Sequence, residues 1–226
     1  MTVEVHANKD PDTVRIFIIR HGQTDHNVTK VLQGHLDIDL NDHGKNQADT
    51  VAKYLSSIPF DFFVSSDLLR CQNTTKPILS YHPDVPLKLT ENLRERNMGV
   101  VQGMLLKDAI AQYGEDFRNL GEKFPDLIHR VELEWDSLIK SSLHNNYNNV
   151  GICTHGGVIT GFINYLYGVK RYDLYKYLDP ESLKVPFNTS VSVIDVNKHT
   201  KQGVIQRFGL TSHLGGQFEV KDQLLR

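Results

Sequence analysis

Two His-Gly pairs stand at the ends of apolar runs. Arg20-His21-Gly22 closes the run Val14 to Ile19, and His155-Gly156-Gly157 closes Asn149 to Thr154. A glycine after each imidazole lets backbone approach a ligand, and the amides of a following helix favour an anion. Arg70 lies in Ser65-Ser66-Asp67-Leu68-Leu69-Arg70, and Glu95 lies in Leu93-Arg94-Glu95-Arg96; both segments follow predicted strands. Two imidazoles, two guanidiniums and one carboxylate at strand ends suit a phosphate ester. Such esters hydrolyse extremely slowly unaided, and enzymes supply up to about 10²¹-fold acceleration, mostly by positioning and electrostatic stabilisation.

The roles follow from residue type. Neutral His21 attacks phosphorus in line and carries the phosphoryl group, which splits the reaction into two displacements. Neighbouring Arg20 and Arg70 favour its neutral form. Arg20, Arg70 and His155 neutralise charge on the equatorial oxygens, with arginine suited to forked contacts. Glu95 donates a proton to the leaving oxygen and then accepts one from water. Surrounding cations favour its carboxylate and a bound dianion favours the acid, so an acidic pH optimum is expected.

The elements that must hold these residues alternate. Val14 to Ile19 reads as a strand buried on both faces. Asn41 reads as the N-cap of a helix whose Ala48, Val51, Ala52 and Leu55 make an apolar stripe. Asp61 to Ser65 reads as a strand, and Ser66 or Asp67 as the cap of a helix running to Tyr81. A strand at Pro86 to Thr90 precedes the polar stretch Glu91 to Gly99. Helices are expected at Leu105 to Tyr113 and Phe124 to Leu143, the latter with Phe124, Leu127, Ile128, Val131, Trp135, Leu138 and Ile139 on its core stripe. Asn149 to Thr154 is a buried strand followed by a helix, and Ser190 to Val196 and Gly203 to Phe208 are paired antiparallel strands. The expected fold is an α/β three-layer sandwich: a mostly parallel sheet, an antiparallel edge strand, and helices on both faces. Ligands of such sheets bind at the carboxyl ends of the strands, where His21, Arg70, Glu95 and His155 fall. Residues 1–226 are expected to form one domain, with 96–149 as a helical insertion or lid over the site.

Composition excludes several classes. Lys and Arg number 25 against 27 Asp and Glu, a formal charge of -2, too small to argue for nucleic acid or anionic membrane as partner. With 39% hydrophobic and 23% charged residues the chain is ordinary globular protein. Two cysteines, Cys71 and Cys153, exclude a disulfide framework and a cysteine-built zinc site. No stretch approaches the roughly 20 apolar residues that span a bilayer, and the amino terminus reads as no targeting signal, so the expected address is the cytoplasm or nucleus. Oligomeric state leaves no signature.

The motifs also match a family. Arg20-His21-Gly22-Gln23-Thr24 with Asn27, Ser65 to Arg70 with Thr74, Leu93 to Arg96 with Gly99 and Gly103, and Thr154-His155-Gly156-Gly157 together resemble the histidine phosphatase superfamily, phosphoglycerate mutase-like branch. LQGHLDIDLNDHGKNQA, FNTSV and TSHL resemble its small fungal broad-specificity phosphatases. The resemblance implies a metal-independent, cofactor-free phosphohistidine mechanism acting on a small phosphorylated metabolite. It places Arg20, Asn27, Arg70 and His155 on phosphate, His21 as nucleophile and Glu95 as acid, and it adds Gln33, Gly34 and Gly156 as substrate-binding residues.

Duller readings stand beside these. His6, His43, His82, His144 and His199 lie in polar stretches and read as solvent-exposed. His26 and His35 are even between loop residue and substrate contact, and His213 either approaches the pocket or caps a turn. Glu91 competes with Glu95, and the LRER context decides for Glu95. Cys153 reads as a buried strand residue, Cys71 as a neighbour of the pocket. A mutase needs extra cations and a closed lid, yet Asn97-Met98 replaces the mutases' His-Tyr and Leu106 falls where their lysine stands. Lys30, His35 and Lys107 are the candidates for a second phosphate. The remaining alternatives are a non-catalytic phospho-ligand module and a metallophosphatase; the latter lacks helically spaced histidines with a carboxylate partner.

Overall fold

The computed structural model describes residues 5–220. Its strands are β1 (Thr13–Arg20), β2 (Phe62–Ser66), β3 (Leu87–Thr90), β4 (Asn149–Thr154), β5 (Asp173–Leu174), β6 (Val191–Asn197) and β7 (Gly203–Leu210). Its α-helices are α1 (Asp25–Thr29), α2 (Asp42–Leu55), α3 (Leu69–Ser80), α4 (Leu106–Tyr113), α5 (Phe124–His144) and α6 (Gly156–Gly168). They make one seven-stranded sheet ordered β3-β2-β4-β1-β6-β7-β5. β3, β2, β4 and β1 are parallel, β6 is antiparallel to both β1 and β7, and the two-residue β5 pairs parallel with β7. The sheet is mostly parallel as expected, and its antiparallel strand lies one place inside the β7–β5 border.

Alternation along β1 sorts the two helical layers. Val14, Ile16 and Ile18 pack with Val150 and Ile152 against α5 and α6, where Trp135, Leu138, Phe162 and Ile163 complete the larger core. Phe17 and Ile19 point the other way, toward Val51, Leu55, Cys71 and Ile78 of α2 and α3. Period-two alternation with both faces covered is the pattern of a central strand. Side chains such as Phe17, Phe63 and Ile163 are wholly buried, each contributing about 2 kcal/mol of hydrophobic stabilisation. Leu32, Met98, Val101, Leu106, Ala109 and Phe117 form a third, smaller cluster. Within 96–149, therefore, α5 belongs to the main layers, and the segment around 98–117 packs separately against the loop after β1. No helix among the described residues is long and apolar enough to cross a membrane.

Most expected elements appear within a residue or two, and Asn41 caps α2 by accepting from the Gly44 amide at 2.8 Å. Besides the two-residue β5, which the sequence did not mark, four details differ. The stretch after β1 holds the short helix α1, opened by a capping box in which Thr24 and Asn27 exchange bonds. The N-cap of α3 is Leu68, with Ser66 Oγ accepting from its amide at 3.4 Å, so the serine braces the turn from two residues earlier. Phe124 is 47% exposed rather than in the core, because its ring lies over Gly161 at the cavity. His82 is half-buried, edge-on to Phe60 at 5.2 Å, rather than solvent-exposed.

Candidate active site

The register of the central strands brings the two histidines together. β1 and β4 run parallel with Arg20 opposite Thr154, and the His21 amide donates to the Thr154 carbonyl at 3.0 Å. The next residue of each strand therefore projects at the same edge, and the rings of His21 and His155 lie 5.2 Å apart. β2 flanks β4 on its other side and delivers Arg70 from the first turn of α3.

His21 Nδ1 donates to the Gly22 carbonyl at 2.7 Å. A carbonyl only accepts, so the bond fixes the tautomer and places the ring's lone pair on Nε2. His155 is wholly buried. Its Nδ1 accepts from Arg70 Nε at 3.1 Å, and its Nε2 therefore carries the hydrogen that meets Ser66 Oγ at 2.9 Å. Burial, followed by the charge of Arg70 and then of His21, Arg130 and Arg20, holds the His155 pKa well below the usual histidine value. Arg70 also donates to the carbonyls of Gly34 at 2.9 Å and Leu36 at 2.8 Å. A guanidinium has five N–H donors, so two remain for a ligand. Arg20 is wholly buried and donates to the Pro186 carbonyl at 2.7 Å.

Glu95 enters from the opposite side, on irregular backbone. Its Oε1 accepts from the Arg96 amide and its Oε2 from the Gly157 amide, each at 2.9 Å. A Cβ on residue 157 would stand 2.5 Å from Oε1, so the second glycine of His-Gly-Gly is there for the carboxylate. Gly34 has a φ of +50°, with the Gln102 side chain where a Cβ would project.

These groups share a cavity of about 330 Å³ lined by Arg20, His21, Asn27, Gln33, Gly34, Arg70, Glu95 and Gly157. Asn27 Oδ1 accepts from Thr24 and Asn188, and Gln33 Oε1 accepts from Thr24 Oγ1 at 3.1 Å. His155 lies behind the lining, against His21 and Arg70, and Gly156 opens α6 beside it. His26 also lines the cavity. The other histidines raised by the sequence do not. His35 Nε2 donates to the Glu95 carbonyl at 2.8 Å, and His213 stacks on Tyr54 at 5.1 Å. Burial pushes the His213 pKa down to about 4. Cys71 Sγ sits 3.5 Å from His155 Nε2, with its thiol pKa driven well up by burial.

Lys30 and Lys107 are exposed and outside the lining. The cations that do line the outer cavity are Arg96 and Arg118, which lie within reach of each other's charge. Sequence reasoning missed this pair and the apolar wall of Met98, Phe124, Leu127 and Val185, because no motif marks residues that meet only through the fold. It also missed Asn188, which donates to the His21 carbonyl at 2.9 Å; its only signal was the FNTSV segment.

Comparison with known proteins identifies the family. The model of the histidine phosphatase superfamily (branch 1) matches residues 16–208. The chain is 41% identical to the broad-specificity phosphatase YOR283W of Saccharomyces cerevisiae, over 97% of this chain and 96% of that one. It is 34% identical to the Schizosaccharomyces pombe protein named "Probable phosphatase C1687.21", over 89% and 95%. Among solved structures, a phosphoglycerate mutase from Bacillus anthracis superposes with a TM-score of 0.76 at 22% identity, covering 92% of this chain and 98% of that one. The chain belongs to the histidine phosphatase superfamily, branch 1.

Proposed function

We propose that this chain hydrolyses small phosphate monoesters through a phosphohistidine on His21. The observation that carries this is the Nδ1–H bond to Gly22, which aims the lone pair of Nε2 into a cavity shared with Arg20, Arg70 and Glu95. In the first step Nε2 attacks phosphorus, the ester P–O bond breaks, and the leaving oxygen takes the proton of Glu95. In the second, water attacks the phosphohistidine, its proton passes to the Glu95 carboxylate, and inorganic phosphate departs from Nε2. Arg20, Arg70 and Asn27 orient the phosphoryl oxygens, with Gln33, Gly34 and Gly156 shaping the cradle. His155, neutral while the cavity holds no anion, gains a proton more readily beside a bound dianion and joins the charge stabilisation.

Residues 1–226 act as one domain in this reading, and 96–149 covers the site: Arg96, Met98, Arg118, Phe124 and Leu127 all line the cavity from that segment. A second reading, a mutase or a sugar bisphosphatase, gains support from Arg96 and Arg118, whose paired charge suits a substrate with a second anionic group. Hydrolysis is preferred because Asn97-Met98 and Leu106 stand where the mutases carry His-Tyr and lysine, and Met98, Phe124, Leu127 and Val185 make much of the cavity wall apolar. The substrate is a small metabolite of the cytosol or nucleus.

The test is a panel of an aryl phosphate, 3-phosphoglycerate, bisphosphoglycerate and sugar bisphosphates after exhaustive chelation. Phosphate release from wild type, with an acid-labile phosphoprotein that His21→Ala does not form, is expected. Transfer between phosphoglycerates without net phosphate release overturns the choice. Binding of phospho-ligands with no turnover, unchanged by His21→Ala, establishes a non-catalytic module instead.

A further inference from the structure

We propose that Arg130, on helix α5 whose first turn lines the cavity, is the positioning residue for Glu95 and that it acts through a clamp shared with Glu122. This rests on the reading of Glu95 as proton donor. Arg130 spends its guanidinium on one short stretch of chain. Nη1 donates to the carbonyls of Asn92 at 2.8 Å and Arg94 at 2.7 Å, and Nη2 donates to the Glu95 carbonyl at 3.0 Å. Nε and Nη2 together hold both oxygens of Glu122, at 2.6 and 2.9 Å.

Glu122 in turn grips the far side of the same stretch. Its Oε2 accepts from the Asn97 amide at 3.2 Å, its own amide donates to the Asn97 carbonyl at 2.8 Å, and its carbonyl accepts Arg96 Nε at 2.7 Å. The two side chains are 16% and 14% exposed, which strengthens the forked pair relative to a surface one. Segment 92–97 has no strand and only the short turn Glu91–Leu93 to stiffen it. Thr154 Oγ1 donates to the Leu93 carbonyl at 2.7 Å and His35 shares the Glu95 carbonyl at 2.8 Å, whereas Arg130 alone spans three carbonyls of the stretch. Arg130 therefore substitutes for secondary structure, fixing the backbone from which the Glu95 carboxylate reaches the Gly157 amide.

A positioning role for proton transfer has a signature that general destabilisation lacks. An alkyl phosphate needs its leaving oxygen protonated, whereas 4-nitrophenyl phosphate expels a weakly basic phenolate without help. Arg130→Met should lower kcat/KM about 100-fold on an alkyl phosphate, within the range of general acid catalysis, and only a few-fold on 4-nitrophenyl phosphate. The acidic optimum of the alkyl reaction should flatten in parallel. Arg130→Lys and Glu122→Gln should show the same leaving-group pattern at smaller amplitude, so the test survives if Arg130→Met does not fold. Glu95→Gln is the reference. If it shows no leaving-group dependence, the acid assignment itself fails. If it does, while the Arg130 and Glu122 variants lose both substrates equally or lose neither, the positioning role alone is overturned.

Discussion

Arg20 and His155 are wholly buried, Arg70 and His21 nearly so, and each ends or follows a strand or opens a helix of the central layers. Across the cavity, Glu95 and Arg96 are half-buried on backbone that belongs to neither helix nor strand. The cationic floor is placed by main-chain register: once β1 and β4 pair, His21 and His155 have one relative position. The rim is placed by side-chain bonds: Arg130 donates to main-chain carbonyls, and Arg94 makes a forked bond to the Asp67 carboxylate, whose Nε–Oδ1 leg is 2.8 Å. Register is shared among many bonds and is cooperative, whereas a clamp depends on one or two side chains. The floor is thus suited to the phosphoryl group every substrate shares, and the rim to leaving groups that differ.

The sharpest break of this contrast is His21→Ala, which should cost about 10⁴-fold or more in kcat on every substrate and abolish the acid-labile phosphoprotein, with the melting temperature little changed. Residual phosphoprotein would move the nucleophile elsewhere. Next, Arg70→Lys should lose about 10²-fold in kcat/KM irrespective of leaving group, because an ammonium cannot reproduce bonds to His155, Gly34 and Leu36 together. A loss confined to poor leaving groups would erase the distinction between floor and rim. Gly157→Ala should then show the rim's pattern: its Cβ displaces the carboxylate, costing about 10-fold to 10²-fold on alkyl phosphates and little on 4-nitrophenyl phosphate.

The smallest effect concerns the layer behind the floor. His213 is largely buried beside Thr189, whose amide donates to the Arg20 carbonyl at 3.0 Å. With a folded pKa of about 4 against about 6.5 unfolded, the unfolded chain binds more protons between those values. Stability is therefore fully present above pH 6.5 and falls as pH drops toward 4, by up to about 3 kcal/mol. His213→Phe, which keeps a ring on Tyr54, should flatten the pH dependence of the melting temperature over that window. An unchanged slope would place the titration elsewhere.

How much of this was legible depends on what positions each group. Floor residues follow strands whose apolar runs are plain in sequence, so the sequence alone places His21, Arg70 and His155 at strand ends. Glu95 was separable from Glu91 only by its LRER context, and Glu91 is indeed exposed. Arg130 gave no signal: in sequence it is one more helix arginine beside an apolar stripe, and its carbonyl partners lie 35 to 38 positions upstream. Phe124 was drawn into the stripe by periodicity, which cannot report that a helix's first turn overhangs a cavity. The five-residue α1 escaped because one turn has no periodicity; its capping box, Thr24 with Asn27, was the available clue.

β4 lies between β2 and β1 in the sheet although it comes well after both in the chain. During synthesis or refolding, the halves of the floor stay apart until this late strand inserts between two earlier ones, a non-local event that closes slowly. Activity should appear with the last slow phase of refolding rather than with helix formation. Partly folded chains would then bind phosphate poorly and hydrolyse nothing, and regain of turnover becomes a direct clock for closure of the sheet.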